Sequence, residues 1–201
     1  IDLMMIAYDK AEKYRIPVLF RPWHEHTGSW FWWGKDFCTP EQYKALWALT
    51  RKVFDERGVD NVVWVYSPDK LTSVEEYTER YPGDEYVDVL GADVYHFGGE
   101  EGIEDYQTRA RRQLDGAKAL SAKNGKIIAL SETGSEGLPL ADWYTRVLMP
   151  LLKEYPVAYV CVWRNASETM KPGHYYVPYK GHAAEADFHK FANDPKIIMA
   201  E

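Results

Sequence analysis

Residues 17–34 read PVLFRPWHEHTGSWFWWG. The stretch begins as a buried strand and then places Arg21, His24, Glu25 and His26 among Trp23, Trp30, Trp32 and Trp33. An apolar strand that opens directly onto charged and aromatic residues is the pattern of a sheet whose strand ends carry chemistry. The same pattern recurs along the chain. Strand candidates at 18–21, 61–66, 87–94, 126–130 and 157–163 are rich in Val, Ile and aromatics, as in parallel strands covered on both faces. Each ends in polar or aromatic groups: Ser67-Pro68-Asp69, Asp93-Val94-Tyr95-His96, Ser131-Glu132-Thr133 and Trp163-Arg164-Asn165 follow the first example.

Helices are expected between the strands. Thr39-Pro40-Glu41 reads as an N-cap, a first-turn proline and a favourable acid, opening a helix that runs to about Arg57 and stops at Gly58. Others are predicted after Ser73 up to about Tyr81, over 104–122, over 140–155 and over 183–191, with an opening helix at 1–15. The order is α-(βα)5, which suits either an open doubly wound sheet or a (β/α)8 barrel. No glycine-rich phosphate loop opens any helix, which disfavours a nucleotide-binding sheet. The fold class expected is therefore α/β, a (β/α)8 TIM barrel to which this chain supplies roughly strands 4–8. Residues 1–201 are read as a single catalytic domain, the second half of that barrel. Five strands leave an open edge, so about three further β-α units are expected to precede Ile1, and the N-terminal half of the barrel is expected to be required as a partner.

Composition narrows the function. A net charge of -7 argues against nucleic acid, whose phosphates reward clustered Lys and Arg. No apolar run approaches the ~20 residues of a membrane span. Cys38 and Cys161 make neither a disulfide framework nor a zinc site, and two free thiols are expected. The eight Trp and fifteen Tyr are mostly core, yet several sit among Gly, His and Arg, where aromatic faces line binding surfaces.

Two acids stand out. Glu25 and Glu132 each lie where a barrel strand gives way to its loop, so both can face one central pocket. A lone loop Glu is more often simply solvated, but two at matching strand ends amid aromatics suit glycoside hydrolysis. That reaction needs one protonated carboxyl to donate to the leaving oxygen and one ionised carboxyl opposite. Asp93 and Tyr95, two apart on one strand, share a side of the sheet. A Tyr95 hydroxyl donating to Glu132 would favour its anion, and apolar burial of Glu25 against Trp30 would keep its proton. Arg21 would hold a nearby carboxylate ionised. Indoles stack on the apolar faces of pyranose rings, which gives Trp23, Trp30, Trp32, Trp33 and Trp163 a use, although at least two of them are expected to be packing residues. In an extended segment Trp30 and Trp32 fall on one side, Phe31 and Trp33 on the other.

The runs RPWHEHTGSWFWWG, GADVYH, LSETG and VWRN, in this order, resemble glycoside hydrolase family 26, the β-mannanase family of retaining (β/α)8 glycosidases. The likeness covers essentially the whole chain, and the His-Glu pair closing the first strand is its most specific part. It implies Glu25 as general acid/base and Glu132 as nucleophile. It further implies His24 as a substrate contact beside the acid, Trp30 as an aromatic at the reaction subsite and Trp163 as the platform under the cleaved sugar. Tyr95 would bind the nucleophile, Asp93 and Arg164 would bind sugar on the glycone side, and Arg21 would support the pocket. The implied activity is a retaining endo-β-1,4-mannan hydrolase without a cofactor, acting on β-mannan or manno-oligosaccharides. Mixed-linkage β-glucan and β-1,3-xylan are alternative substrates within the same family. Because polysaccharide cannot cross a membrane, the protein is expected to be secreted, periplasmic or at the cell surface. Two other classes stay open: a metal-dependent hydrolase using His24 and His26 with Asp93 or His96, and a non-catalytic glycan-binding protein. The run KPGHYYVPYKG at 171–181 is a long loop that either borders the cleft or caps the barrel.

Overall fold

The computed structural model describes residues 13–14, 16–167 and 169–200. The helix expected at 1–15 lies almost wholly outside the described residues.

Strands β1 (Val18–Phe20), β2 (Val62–Tyr66), β3 (Val89–His96), β4 (Ile127–Ser135) and β5 (Val157–Val162) form one sheet in sequence order, every neighbouring pair parallel. A doubly wound sheet would reverse its strand order part-way. The uninterrupted order here is that of half a (β/α)8 barrel. Helices α1 (Pro40–Glu56), α2 (Glu76–Glu79), α3 (Ile103–Asn124), α4 (Met149–Glu154) and α5 (Glu185–Ala192) follow the strands in turn.

Local sequence explains most of these bounds. Thr39 and Gln42 form a capping box at the start of α1, each side chain accepting from the other's backbone N–H, with Pro40 in the first turn. The helix predicted over 140–155 is not uniform. Its centre, Tyr144–Leu148, is a wide π-helical turn, closed by the Met149 N–H donating to the Tyr144 carbonyl. Pro150 has no N–H to return to Arg146, and Asp187 accepts from the backbone of Tyr144 and Thr145, so the tighter ladder has less to offer there. The helix after Ser73 contracts to four residues, Glu76–Glu79.

Both β3 and β4 run past their predicted ends. Glu132 therefore lies inside β4 and not where that strand gives way to a loop. The polar halves persist as strand because their side chains find partners. The Tyr106 hydroxyl lies 2.6 Å from Thr133 Oγ1, and His96 Nδ1 lies 3.0 Å from Ser135 Oγ. A register shift between Ala92 and Asp93 leaves Ser131 unpaired and sets Asp93 directly opposite Glu132. That shift is a bulge, which re-aims side chains at a strand end.

The main core lies between sheet and helices, where Tyr43, Trp47, Trp64, Tyr66, Tyr77, Tyr106, Trp143 and Tyr144 are buried. The other face carries a small cluster of Val65, Val89 and Ala129 with Val63 and Tyr159 packed on it. The two faces meet the strands alternately, as period-2 geometry requires. Cys38 is buried and Cys161 exposed, both with free thiols.

Candidate active site

Glu132 is 3% exposed, and each of its oxygens has its own donor. Arg21, one residue past β1, donates from Nη2 to Oε1, and the Tyr95 hydroxyl donates to Oε2 at 2.5 Å. The other Arg21 nitrogen, Nη1, reaches Asp93 at 2.6 Å and Ser67 Oγ at 3.1 Å. Ser131, the bulged residue, completes the cluster by donating to Asp93 at 2.7 Å. Three strand ends thus converge on one guanidinium, held by a charge-assisted fork of the kind only Arg supplies.

Tyr95 is itself braced. The ring of Tyr176, from the loop after β5, packs edge-on against it at 5.7 Å. Gly134, two residues after Glu132, has φ 148°, and a Cβ there would stand 2.4 Å from the Tyr176 ring. His174, at 2.5 Å from Glu136, and Asn165, accepting from the backbone of Tyr176 and Val177, tie the same loop down. The run 171–181 therefore touches the site through Tyr176. Burial and the bond to Glu132 push the Tyr95 hydroxyl far above its ordinary range, so it stays a donor.

Glu25 arrives from the other side. It is half-buried, and its backbone is left-handed at φ 51°, as is that of Trp23 at φ 53°. Non-glycine residues rarely occupy this region, and its cost is tolerated where surrounding bonds over-determine the chain. Those bonds are present. Glu25 N–H donates to the Ser67 carbonyl at 2.9 Å, Tyr43 donates to the Trp23 carbonyl at 2.9 Å, and Trp33 Nε1 donates to the His24 carbonyl at 2.8 Å. Trp23 Nε1 anchors to Thr50 on α1.

The Glu25 carboxyl is pushed up to about 7, first by burial and further by the negative charges of Glu132 and Asp69. The charge of Glu132 is thus felt at Glu25. Trp30 plays a different part from the apolar one the sequence suggests. Its Nε1 donates to Glu25 Oε2 at 2.8 Å, which favours the ionised form and opposes the upward shift. Its indole remains 49% exposed, lies over Gly28, where a Cβ would come within 2.4 Å of the ring, and has the Lys70 ammonium 4.7 Å from its ring.

The remaining expected residues fall as follows. His24 lies beside the cluster, its ring 5.0 Å from Phe31, and burial with the nearby Arg21 charge lowers it to about 4, so it is neutral. Trp163 N–H donates to the Thr133 carbonyl at 2.9 Å, which places the Trp163 backbone beside the residue after Glu132, just past the end of β5. Arg164 follows it, exposed. Asp93, expected at the sugar, is 2% exposed and taken up by Arg21 and Ser131. Phe31 and Trp33 stack at 4.3 Å, and Trp32, 61% exposed, packs edge-on against Trp33 and Trp23 at 5.5 Å, so the loop is turned and not the extended segment expected. His26 departs from a ligand's position, being fully buried between Tyr43 and Tyr66 at 4.4 and 4.9 Å. Among the described residues no group of three or more His, Cys, Asp and Glu is arranged to hold a metal ion, and no helix is long and apolar enough to cross a membrane.

Sequence reasoning did not single out Tyr176, Thr27 or Gln113, and noticed Ser131 only as part of a polar strand end. Gln113, buried on α3, donates to the carbonyls of both Asp69 and Asp93 and so links the ends of two strands. Nothing in its local sequence sets Gln113 apart from Gln107 on the same helix.

The family model described as glycosyl hydrolase family 26 matches residues 1–132. The chain is 32% identical over 202 aligned positions to a mannan endo-1,4-beta-mannosidase of Bifidobacterium adolescentis, covering 92% of this chain and 20% of that protein. It is 33% identical to a mannan endo-1,4-beta-mannosidase of Bacillus subtilis, covering 78% of this chain and 41% of that one. Among solved structures, it resembles a GH26 beta-mannanase from Bacteroides ovatus at 50% identity and TM-score 0.85, covering 91% of this chain and 52% of that one. The chain spans between a fifth and about half of the length of these proteins.

Proposed function

Since the chain belongs to glycosyl hydrolase family 26, we propose that it forms the catalytic half of a retaining endo-β-1,4-mannan hydrolase working by double displacement. The observation that carries this reading is the contrast between two neighbouring glutamates. Glu132 has both oxygens fixed by donors, whereas Glu25 has its proton affinity raised into the neutral range.

In the first step Glu132 attacks the anomeric carbon while Glu25 gives its proton to the departing glycosidic oxygen. A glycosyl ester on Glu132 results, and Glu25 is left ionised. Glu25 then takes a proton from water as that water attacks the same carbon from the vacated side, which frees Glu132 and restores the acid. Two inversions give net retention, and retaining pairs stand roughly 5–5.5 Å apart. Arg21 and Tyr95 aim Glu132, and Tyr95 gives up its bond as the ester forms. Trp163 offers a platform under the reacting sugar, with His24 and Arg164 for its hydroxyls and Trp30 beside the leaving group. Asp93 acts on the sugar through Arg21.

Residues 1–201 are read as one catalytic unit completed by further β-α units of the same barrel, and the protein as exported, because its polymeric substrate lies outside the cell. The mannanases among its relatives favour mannan over other β-glycans. Intact protein offered mannan, glucomannan, barley β-glucan and β-1,3-xylan tests the substrate, and NMR of the first product tests retention. Release of the α-anomer from a β-linked substrate, or no turnover of any of these glycans, would refute the proposal. A binding-only role predicts that Glu132→Ala changes nothing, whereas hydrolysis predicts lost turnover with retained binding.

A further inference from the structure

We propose that Asp69 is a positioning residue for Glu25: it locks the loop that carries the acid and presents a buried negative charge to its carboxyl. This rests on Glu25 being the acid/base proposed above. The chain from Glu25 to Gly28 is laid along residues 67–70 by a ladder of bonds that secondary structure does not provide. Glu25 N–H donates to the Ser67 carbonyl at 2.9 Å. Thr27 Oγ1 donates to Asp69 Oδ1 at 2.8 Å, and Gly28 N–H donates to the same oxygen at 2.9 Å. Thr27 Oγ1 in turn accepts from the N–H groups of Asp69 and Lys70 at 2.9 and 3.0 Å. The strained backbone at Glu25 and the indole of Trp30 over Gly28 both depend on this docking.

The second oxygen of Asp69 is the telling part. Oδ2 is buried and makes no hydrogen bond. A carboxylate kept only to anchor a loop would be expected to satisfy both oxygens, because an unpaired buried acceptor is costly. Asn would anchor the loop equally well through its carbonyl, so the charge itself needs a reason. The groups that act on Glu25 are Glu132 and Asp69, which favour its proton, and Arg21 and the Trp30 N–H, which oppose it. Asp93 and Tyr95 from β3 face the same carboxyl. Arg21, the cation in this set, lowers proton affinity at Glu25; Asp69, whose own charge is disfavoured by burial and supported by Thr27, Gly28 and Lys70, is the one anion from outside the Arg21 cluster.

The test uses intact protein and two variants. Asp69→Asn keeps an acceptor for Thr27 and Gly28 and removes only the charge, while Thr27→Val cuts the ladder and leaves the charge. Glu25 is followed by NMR of 13C-carboxyl-labelled glutamate, assigned with Glu25→Gln, which needs no substrate. Its titration is expected to fall by about half a pH unit or more in Asp69→Asn, and the alkaline limb of the kcat/KM profile should move with it. Thr27→Val should lower kcat about tenfold or more with little change in KM, because misplacement of a catalytic group by ~1 Å is felt that strongly. Coincident Glu25 titrations in Asp69→Asn and the unaltered protein would overturn the electrostatic part, and unchanged kcat in Thr27→Val the positioning part. Absence of turnover in the unaltered protein with the NMR shift intact would instead count against the hydrolase reading alone.

Discussion

Replacing Glu25 by Gln should make the folded protein more stable in alkaline buffer while disabling it. The folded chain holds this carboxyl at about 7 against an ordinary 4.5. Between those values the folded state binds the proton more firmly than the unfolded state, so stability falls as pH rises through the window. The penalty is absent below about 4.5 and complete above about 7. At ~1.36 kcal/mol per pH unit its ceiling is about 3 kcal/mol. The carboxyl is partly open to solvent, and screening reduces the expected figure to ~1–2 kcal/mol. Glutamine is neutral throughout, and its amide oxygen can still accept from Trp30 Nε1. Urea unfolding of the two proteins at pH 5 and pH 8 should therefore give a small difference in the acid buffer, where roughly a quarter of the penalty is present, and a clearly higher midpoint for Glu25→Gln in the alkaline one. Loss of the general acid should cost about 10²–10⁴ in turnover on a substrate with a poor leaving group. A stability difference of the same size at both pH values would refute the argument, because only a titrating group can make it grow. So would a variant that becomes relatively weaker as pH rises.

Three other perturbations probe the opposite side of the cleft. Tyr95→Phe removes one donor from Glu132 and should lower kcat about 10- to 100-fold, since a bond to a charged group is worth ~1.5–3 kcal/mol; steady-state kinetics with an unchanged circular dichroism spectrum would check it. Arg21→Met leaves Asp93 and Glu132 buried without their cation and should destabilise the fold by ~3–5 kcal/mol, with part of the loss recovered in Arg21→Met/Asp93→Asn, as thermal unfolding would show. Gly134→Ala asks a side chain to sit at φ 148° with its Cβ 2.4 Å from the Tyr176 ring, so chemical denaturation should register a loss of ~1–3 kcal/mol as Tyr176 is driven off Tyr95.

The sequence announced the features that repeat or follow local rules. Alternating β and α stretches, the Thr39-Pro40 cap and the polar strand ends were all visible because each depends on residues a few positions apart. Glu25 and Glu132 stood out for the same reason, as acids near the ends of two such units, although Glu132 lies within β4 and Glu25 in the loop after β1. What escaped notice depends on pairing across long separations. The extension of β4 to Ser135 is invisible until Tyr106 and His96 are known to meet Thr133 and Ser135. The docking of Thr27 on Asp69 spans 42 positions, although Asp69 itself was noticed as a polar strand end. The role of Trp30 was misread because a Trp beside a Glu can offer either a face or an N–H, and only the rotamer decides. His26 looked like a partner for His24, yet the neighbouring left-handed turn at Glu25 sends its ring into the core.

In the double displacement proposed above, sharing one guanidinium between two acids would also govern how the site tolerates the covalent intermediate. Once Glu132 is esterified it no longer carries a charge, and a guanidinium with a single counter-ion would at that moment become an isolated cation beside an electron-poor sugar carbon. Asp93, 2.6 Å from Arg21, would remain as its partner in that state. In the proposed cycle the charge on Glu132 would be lost and regained without Arg21 having to find a new companion.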